Sequence, residues 1–269
     1  MEQKDQNGLS RREFLKKAGI GVGVAAGALA LSSTPLFAEA SAAGTVAEDA
    51  FPLAILDPEE ARLRGHAGYY MGGCAYGAFY AIISLLREKV GGPYNQVPYR
   101  MMSYGKAGGV GWGTLCGSLN GAAAAITLSV KNADYAKIIN ELIGWYTITP
   151  LPTDASNKIG AASGFIRTTS KKYPAIVLAQ STSKSPLCHA SVSQWCKVAG
   201  LKQGTPERLE RCARVTGDAA AKAVELLNAY QQGTFKPVFA IDDETSTCLG
   251  CHKDDTVGQM RCLSCHKGH

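Results

Sequence analysis

The sequence predicts a mostly α protein: a helical, cysteine-rich body followed by an irregular C-terminal tail. Three observations carry this. Helix starts of the Asp-Pro or Ser-Pro kind precede apolar residues at helical spacing. Alanine-rich runs such as "NGAAAAITLSV" suit closely packed helices. Strand signals are few, and "PAIVLAQST" is the best candidate for one.

The elements follow in order. "DPEEARLRGHAGYY" opens with Asp57 as N-cap and Pro58 at the first helical position. "GGCAYGAFYAIISLLREKVGG" reads as a second helix, with Cys74, Ala78, Ile82 and Leu85 on one face and Gly91-Gly92 as its stop. After a loop comes the alanine-rich "GTLCGSLNGAAAAITLSV", and then the amphipathic "NADYAKIINELIGWY", capped by Asn132 or Asp134. "KSPLCHASVSQWCKVAG" places Ser185 as N-cap, Cys188 at the third helical position and Gly200 as stop. The longest helix lies in "TPERLERCARVTGDAAAKAVELLNAYQQG". There Leu209, Cys212, Thr216, Ala219, Ala223, Leu226 and Tyr230 form one apolar stripe, so Cys212 is expected to face the core.

The N-terminus reads as an address. "SRREFLKKAG" sets Arg11 and Arg12 side by side, like a twin-arginine export signal. The apolar run from Ala18 to Leu31 is short and rich in Gly and Ala, unlike a membrane anchor. Ala38 and Ala40 suit cleavage after Ala40. The organisation expected is a signal peptide over 1–40, a linker over 41–56, a helical domain over 57–235 and a tail over 236–269. The destination is the periplasm, without stable membrane insertion once the signal is removed. The net charge of +6 is moderate, and basic runs interleaved with aromatics are missing, so nucleic-acid binding is not expected. The body is basic, while the tail from Lys236 holds four basic and five acidic residues.

The nine cysteines divide into two sets. The tail ends "CLGCHKDDTVGQMRCLSCHKGH", two Cys-x-x-Cys-His motifs. In such a motif both thiols bind the vinyl groups of one haem, and the adjacent histidine ligates its iron. Cys248, Cys251 and axial His252 form one site, and Cys262, Cys265 and axial His266 form the second. The spacing alone also resembles a four-cysteine zinc ribbon. The repeated histidine and the export signal favour haem. His189, His66 and His269 are the distal axial candidates, with Met260 inside the tail as another.

Cys74, Cys116, Cys188, Cys196 and Cys212 are spread over the body. Cys74 and Cys116 adjoin glycines, which let backbone amides approach a cluster. Cys188 near a helix N-terminus is expected to be stabilised as a thiolate. Cys188 and Cys196 are about 12 Å apart along one helix, too far for both to hold one compact cluster. Cys74, Cys116, Cys188 and Cys212 are therefore the expected iron–sulfur ligands, with Cys196 the alternative to Cys188.

"CGSLNG", "PLCHASVSQWC", "ERCARVTGDAAAKAVELLN" and the two terminal haem motifs together resemble split-Soret cytochrome c. The body alone resembles redox-active proteins with four cysteines and a Cys-Gly-Ala-x-x-Gly motif, in which Ser118 here replaces the alanine. The resemblance covers nearly all of the chain after the signal. It implies a periplasmic homodimer with two c-type haems per chain, closely packed near the dimer interface. It implies histidines on both sides of each iron, one of them able to come from the partner chain, and an iron–sulfur centre in the body. The expected role is electron transport with partner proteins of unknown identity, a carrier more than an enzyme. The alternative is a haem-based small-molecule reductase with an open iron site.

Overall fold

The computed structural model describes residues 50–165, 173–255 and 258–268. The expected signal peptide, most of the linker and His269 lie outside the described residues. The described chain is mostly helical, with two isolated β-bridges and no strand.

Helix α1, Pro58–Gly72, starts where Asp57 accepts from the Glu59 and Glu60 N–H groups. A single residue, Gly73 at φ +92°, joins it to α2, Cys74–Lys89. Helix α2 is buried on most of its circumference, because α1, α3 (Gly117–Ser129) and α7 (Pro206–Gln231) all pack on it. The α1–α7 crossing is close enough to need glycine: a Cβ on Gly65 would come 2.9 Å from the Gly217 Cα. Phe79, Ile82, Leu86, Leu119 and Ile126 fill the centre, each contributing about 1.5–3 kcal/mol by leaving water.

Helix α4, Tyr135–Ile148, has Asp134 at its N-cap as expected, but the Asp134 side chain pairs with Lys137 and bonds no helix N–H. Short α5, Asp154–Ala161, is capped by Thr153. Helix α6 is Cys188–Ala199 and ends at Gly200 in the left-handed region. Its start corrects the expected cap. Ser185 instead accepts from the Leu187 N–H within the preceding turn, and Cys188 is the first helical residue, not the third. Leu209, expected on the core stripe of α7, is 40% exposed at its first turns.

"PAIVLAQST" is not a strand. It bends at Ile176, and among the described residues it pairs with backbone only at Ser181, across from Leu151. Side chains take its other polar groups: Asn157 both donates to and accepts from Leu178, Trp195 donates to Ala179 O, and Arg214 donates to Pro174 O and Ile176 O.

The tail is more ordered than expected. Residues Asp243–His252 form helix α8, with Asp242 accepting from the Thr245 N–H. Glu141 on α4 accepts from the Val238 and Phe239 N–H groups at 2.7 and 2.6 Å. The Phe239 ring occupies the place a side chain on Gly144 would need. These contacts anchor the tail to the body.

Candidate functional site

Two sites are assembled on this frame. The first gathers body cysteines. Cys74 is the first residue of α2, Cys116 the N-cap of α3, and Cys188 the first residue of α6. Three helix N-termini, each carrying partial positive charge, therefore present a thiol. Cys212, in the second turn of α7, is the fourth. Gly117 brings α3 onto Cys74, whose sulfur takes up the room a Cβ there would fill.

Two of these thiols are shifted upward. Burial pushes the Cys74 thiol up to about 12, and Cys116 and Cys212 add to the shift. Burial raises Cys188 as well, followed by Cys116, Cys212 and Cys74. This reverses the expectation of a dipole-stabilised Cys188 thiolate. The Cys188 and His189 N–H groups are already used, donating to Thr114 O and Gly113 O, and desolvation outweighs the dipole. Cys196, two turns along α6, is half-buried and is not among the groups that shift Cys188.

Arg211 is the residue that the sequence did not single out. Its side chain is fully buried beside the thiols. It donates to Ser191 Oγ at 2.8 Å, and its Nη1 lies 3.9 Å from Cys212 Sγ. Among the described residues its Nε has no partner. Burial works against this cation, and negative charge on Cys212 above all, then on Tyr146 and Cys116, would favour it. Buried Tyr146 donates to the same Ser191 at 2.7 Å. A buried guanidinium without a carboxylate partner is costly unless an anion compensates it. Four thiolates, or an anionic group that they hold, would do so.

The donor set therefore fits an iron–sulfur cluster: soft sulfur ligands, positive helix ends and one buried cation. Among the described residues no three His, Cys, Asp or Glu side chains converge tightly enough for a single metal ion.

The second site is the tail. Cys248 and Cys251 are three residues apart on α8 and share a face, with His252 next in line. Cys262 opens a short 3₁₀ turn, Cys262–Ser264, that packs on α8. Desolvation raises the Cys248 thiol, and neighbouring Cys262 adds to the shift. Arg261 ties the motifs together, pairing with Asp242 at 2.8 Å and Glu244 at 3.5 Å. A cavity of about 610 Å³ opens between α4 and the tail, with Ile143, Phe239, Leu249 and Met260 among its apolar walls and Lys184 and Lys253 at its edge. Half-exposed to exposed thiols beside an apolar, cation-edged cavity fit haem attachment.

The distal candidates part company. His189 is exposed at the start of α6. His66 is fully buried: its Nε2 lies 3.1 Å from both Glu210 oxygens, and its ring stacks on Phe165 at 3.7 Å. Glu210 is shared with Tyr70 and Arg214. Enclosed in that network, His66 is core structure, and it is withdrawn as an axial candidate.

The family model described as "Putative redox-active protein (C_GCAxxG_C_C)" matches residues 76–226. That span includes Cys116, Cys188, Cys196 and Cys212 and begins two residues after Cys74. The chain is 40% identical over 223 residues to the split-Soret cytochrome c of Desulfovibrio desulfuricans, covering 79% of this chain and 76% of the relative. A solved structure reporting a novel iron centre in the split-Soret cytochrome c from D. desulfuricans ATCC 27774 matches with a TM-score of 0.67 at 36% identity. That match covers 81% of this chain and 91% of the other.

Proposed function

Because this chain belongs to the split-Soret cytochrome c family of redox-active, electron-transferring cytochromes, we propose that it is a periplasmic relay with two c-type haems and one iron–sulfur centre per chain. Cys248 and Cys251 would hold one haem with His252 as axial ligand, and Cys262 and Cys265 the other with His266. Cys74, Cys116, Cys188 and Cys212 would hold the iron–sulfur centre. His189 and His269 remain the distal candidates. The twin-arginine signal supports export, and a homodimer in which one chain completes the partner's haem site follows the resemblance.

Bound haem and iron–sulfur groups supply one-electron chemistry; the protein supplies ligation, burial and position. Arg211 places a positive charge beside the thiols, and this favours the more negative, reduced state of whatever they hold. Gly117 and the α2, α3 and α6 N-termini shape the site, while Tyr146 and Arg211 close its inner side. Glu141 and Gly144 fix the tail to the same body, so both sites belong to one rigid support.

The observation that supports this reading is that Cys74, Cys116 and Cys188 sit at three helix N-termini beside Cys212 and buried Arg211, which has no carboxylate partner among the described residues, in a chain whose tail packs two haem motifs together. Haem counted by the pyridine haemochrome method on protein made in an exporting, haem-attaching host tests it. Two covalent haems per chain are expected. Zinc without covalent haem would end it.

A further inference from the structure

The loop over the body cysteines is a tight series of turns, in which the Val110, Gly113 and Thr114 N–H groups donate to Tyr104 O, Ala107 O and Gly108 O. Ala107 and Val110 hold φ of +55° and +43°, a region that β-branched residues avoid. The strain does not bury Val110, which is 74% exposed, and Trp112 beside it is 84% exposed. Met101 and Tyr104 are also exposed large apolar side chains. This loop roofs the thiol site directly. Gly108 abuts the Cys188 Cβ, and Gly113 and Thr114 accept from the His189 and Cys188 N–H groups.

The sequence segments that form the loop and lead into α6 carry charges of one sign. Residues 89–133 contain no Asp or Glu but carry Lys89, Arg100, Lys106 and Lys131. The stretch 155–206, which holds α6, likewise has no Asp or Glu and seven Lys or Arg. Lys106 is exposed and lies along Gly73, next to Cys74. Half-buried Arg208 reaches Cys212 Sγ at 3.9 Å. An exposed tryptophan among apolar neighbours with a cationic rim is the make-up of a protein docking face, and the sign selects an acidic partner.

We propose that the loop bearing Tyr104, Lys106, Val110 and Trp112 is the port where a small acidic electron-carrier protein docks over the four-cysteine site. The proposal rests on the redox reading of those cysteines. In the exchange the carrier loses one electron and the group held by the thiols gains it, with no bond made or broken. The mixed-charge tail would then face different partners from the basic cysteine end.

The test titrates the complete haem-loaded protein with an acidic plant-type ferredoxin and measures association, not electron transfer. Loss of the redox centre would show separately as missing acid-labile sulfide. Saturable binding that weakens with salt is expected. Trp112→Ala should weaken it about tenfold, Trp112→Phe should largely restore it, and Lys106→Glu should weaken it and flatten its salt dependence. Haem and sulfide content should not change. Equal binding by wild type, Trp112→Ala and Lys106→Glu would overturn the proposal. It would also be overturned if Trp112→Ala instead abolished self-association, or abolished only adhesion to anionic vesicles.

Discussion

Arg211 and Cys212, neighbours in sequence, are also neighbours in charge. The Arg211 guanidinium is fully buried with its Nη1 3.9 Å from the Cys212 sulfur, and among the described residues no carboxylate is hydrogen-bonded to it. An apolar side chain should be as stable there as arginine when the thiols are empty and protonated, but not when they carry an anionic group.

Arg211→Met should therefore have opposite effects in two forms of the protein. The iron-free form should be unchanged or more stable. The iron-loaded form should lose about 3 kcal/mol, the usual cost of removing one partner of a buried charge pair. Thermal unfolding of both forms, before and after anaerobic iron and sulfide loading, would measure this. Equal effects in both forms would mean that Arg211 is only core structure.

Gly117→Ala should block the cysteine site. The added methyl would meet Cys74 Sγ and stand 2.6 Å from Gly105 O, and backbone cannot yield cheaply. Overpacking of this kind costs about 1–3 kcal/mol. The variant should retain its covalent haems while losing body iron, read as iron in excess of haem.

How much of this was legible in the sequence follows from what each signal depends on. Asp57, Pro58, Pro206 and Gly200 mark helix ends through local backbone chemistry, and those ends fell where expected or within a residue or two. The separation of Cys196 from Cys188 follows from helical rise alone. The residues that surround the thiols were not legible. Arg211 looks like any charged residue of an amphipathic helix until α6 and α4 bring Ser191 and Tyr146 to it. The stretch 173–181 has strand composition, but Asn157, Trp195 and Arg214 answer its backbone from distant positions, and no periodicity could show that. Neither could the local pattern around His66 show that its ring would be closed in by Glu210 and Phe165.

The iron-free protein should weaken at alkaline pH. Burial raises Cys74 to about 12 and raises Cys188 too, against an ordinary thiol value of about 8.5. The folded state thus keeps protons that the unfolded chain releases. Stability contributed by these thiols is complete below about pH 8.5 and falls as pH rises toward 12, by at most about 1.4 kcal/mol per pH unit for each thiol. Melting temperatures between pH 8 and 10 should drop in the iron-free form and stay flatter in the loaded form, where the sulfurs are already deprotonated.

The two tail motifs should load independently. Cys248→Ala with Cys251→Ala should remove one covalent haem, and Cys262→Ala with Cys265→Ala the other, each leaving body iron in place. Intact mass after denaturation would show the loss of a single haem in each case. Arg261→Ala, which breaks the pairing with Asp242 and Glu244, should keep both haems but alter their mutual coupling in the Soret region.

The central claim is that four particular body cysteines hold an iron–sulfur centre alongside the tail haems. Acid-labile sulfide in anaerobically prepared wild type, Cys116→Ser and Cys196→Ser tests it most directly. The account predicts sulfide in wild type and in Cys196→Ser, and its loss in Cys116→Ser. Sulfide absent from wild type, or lost in Cys196→Ser and kept in Cys116→Ser, would contradict it.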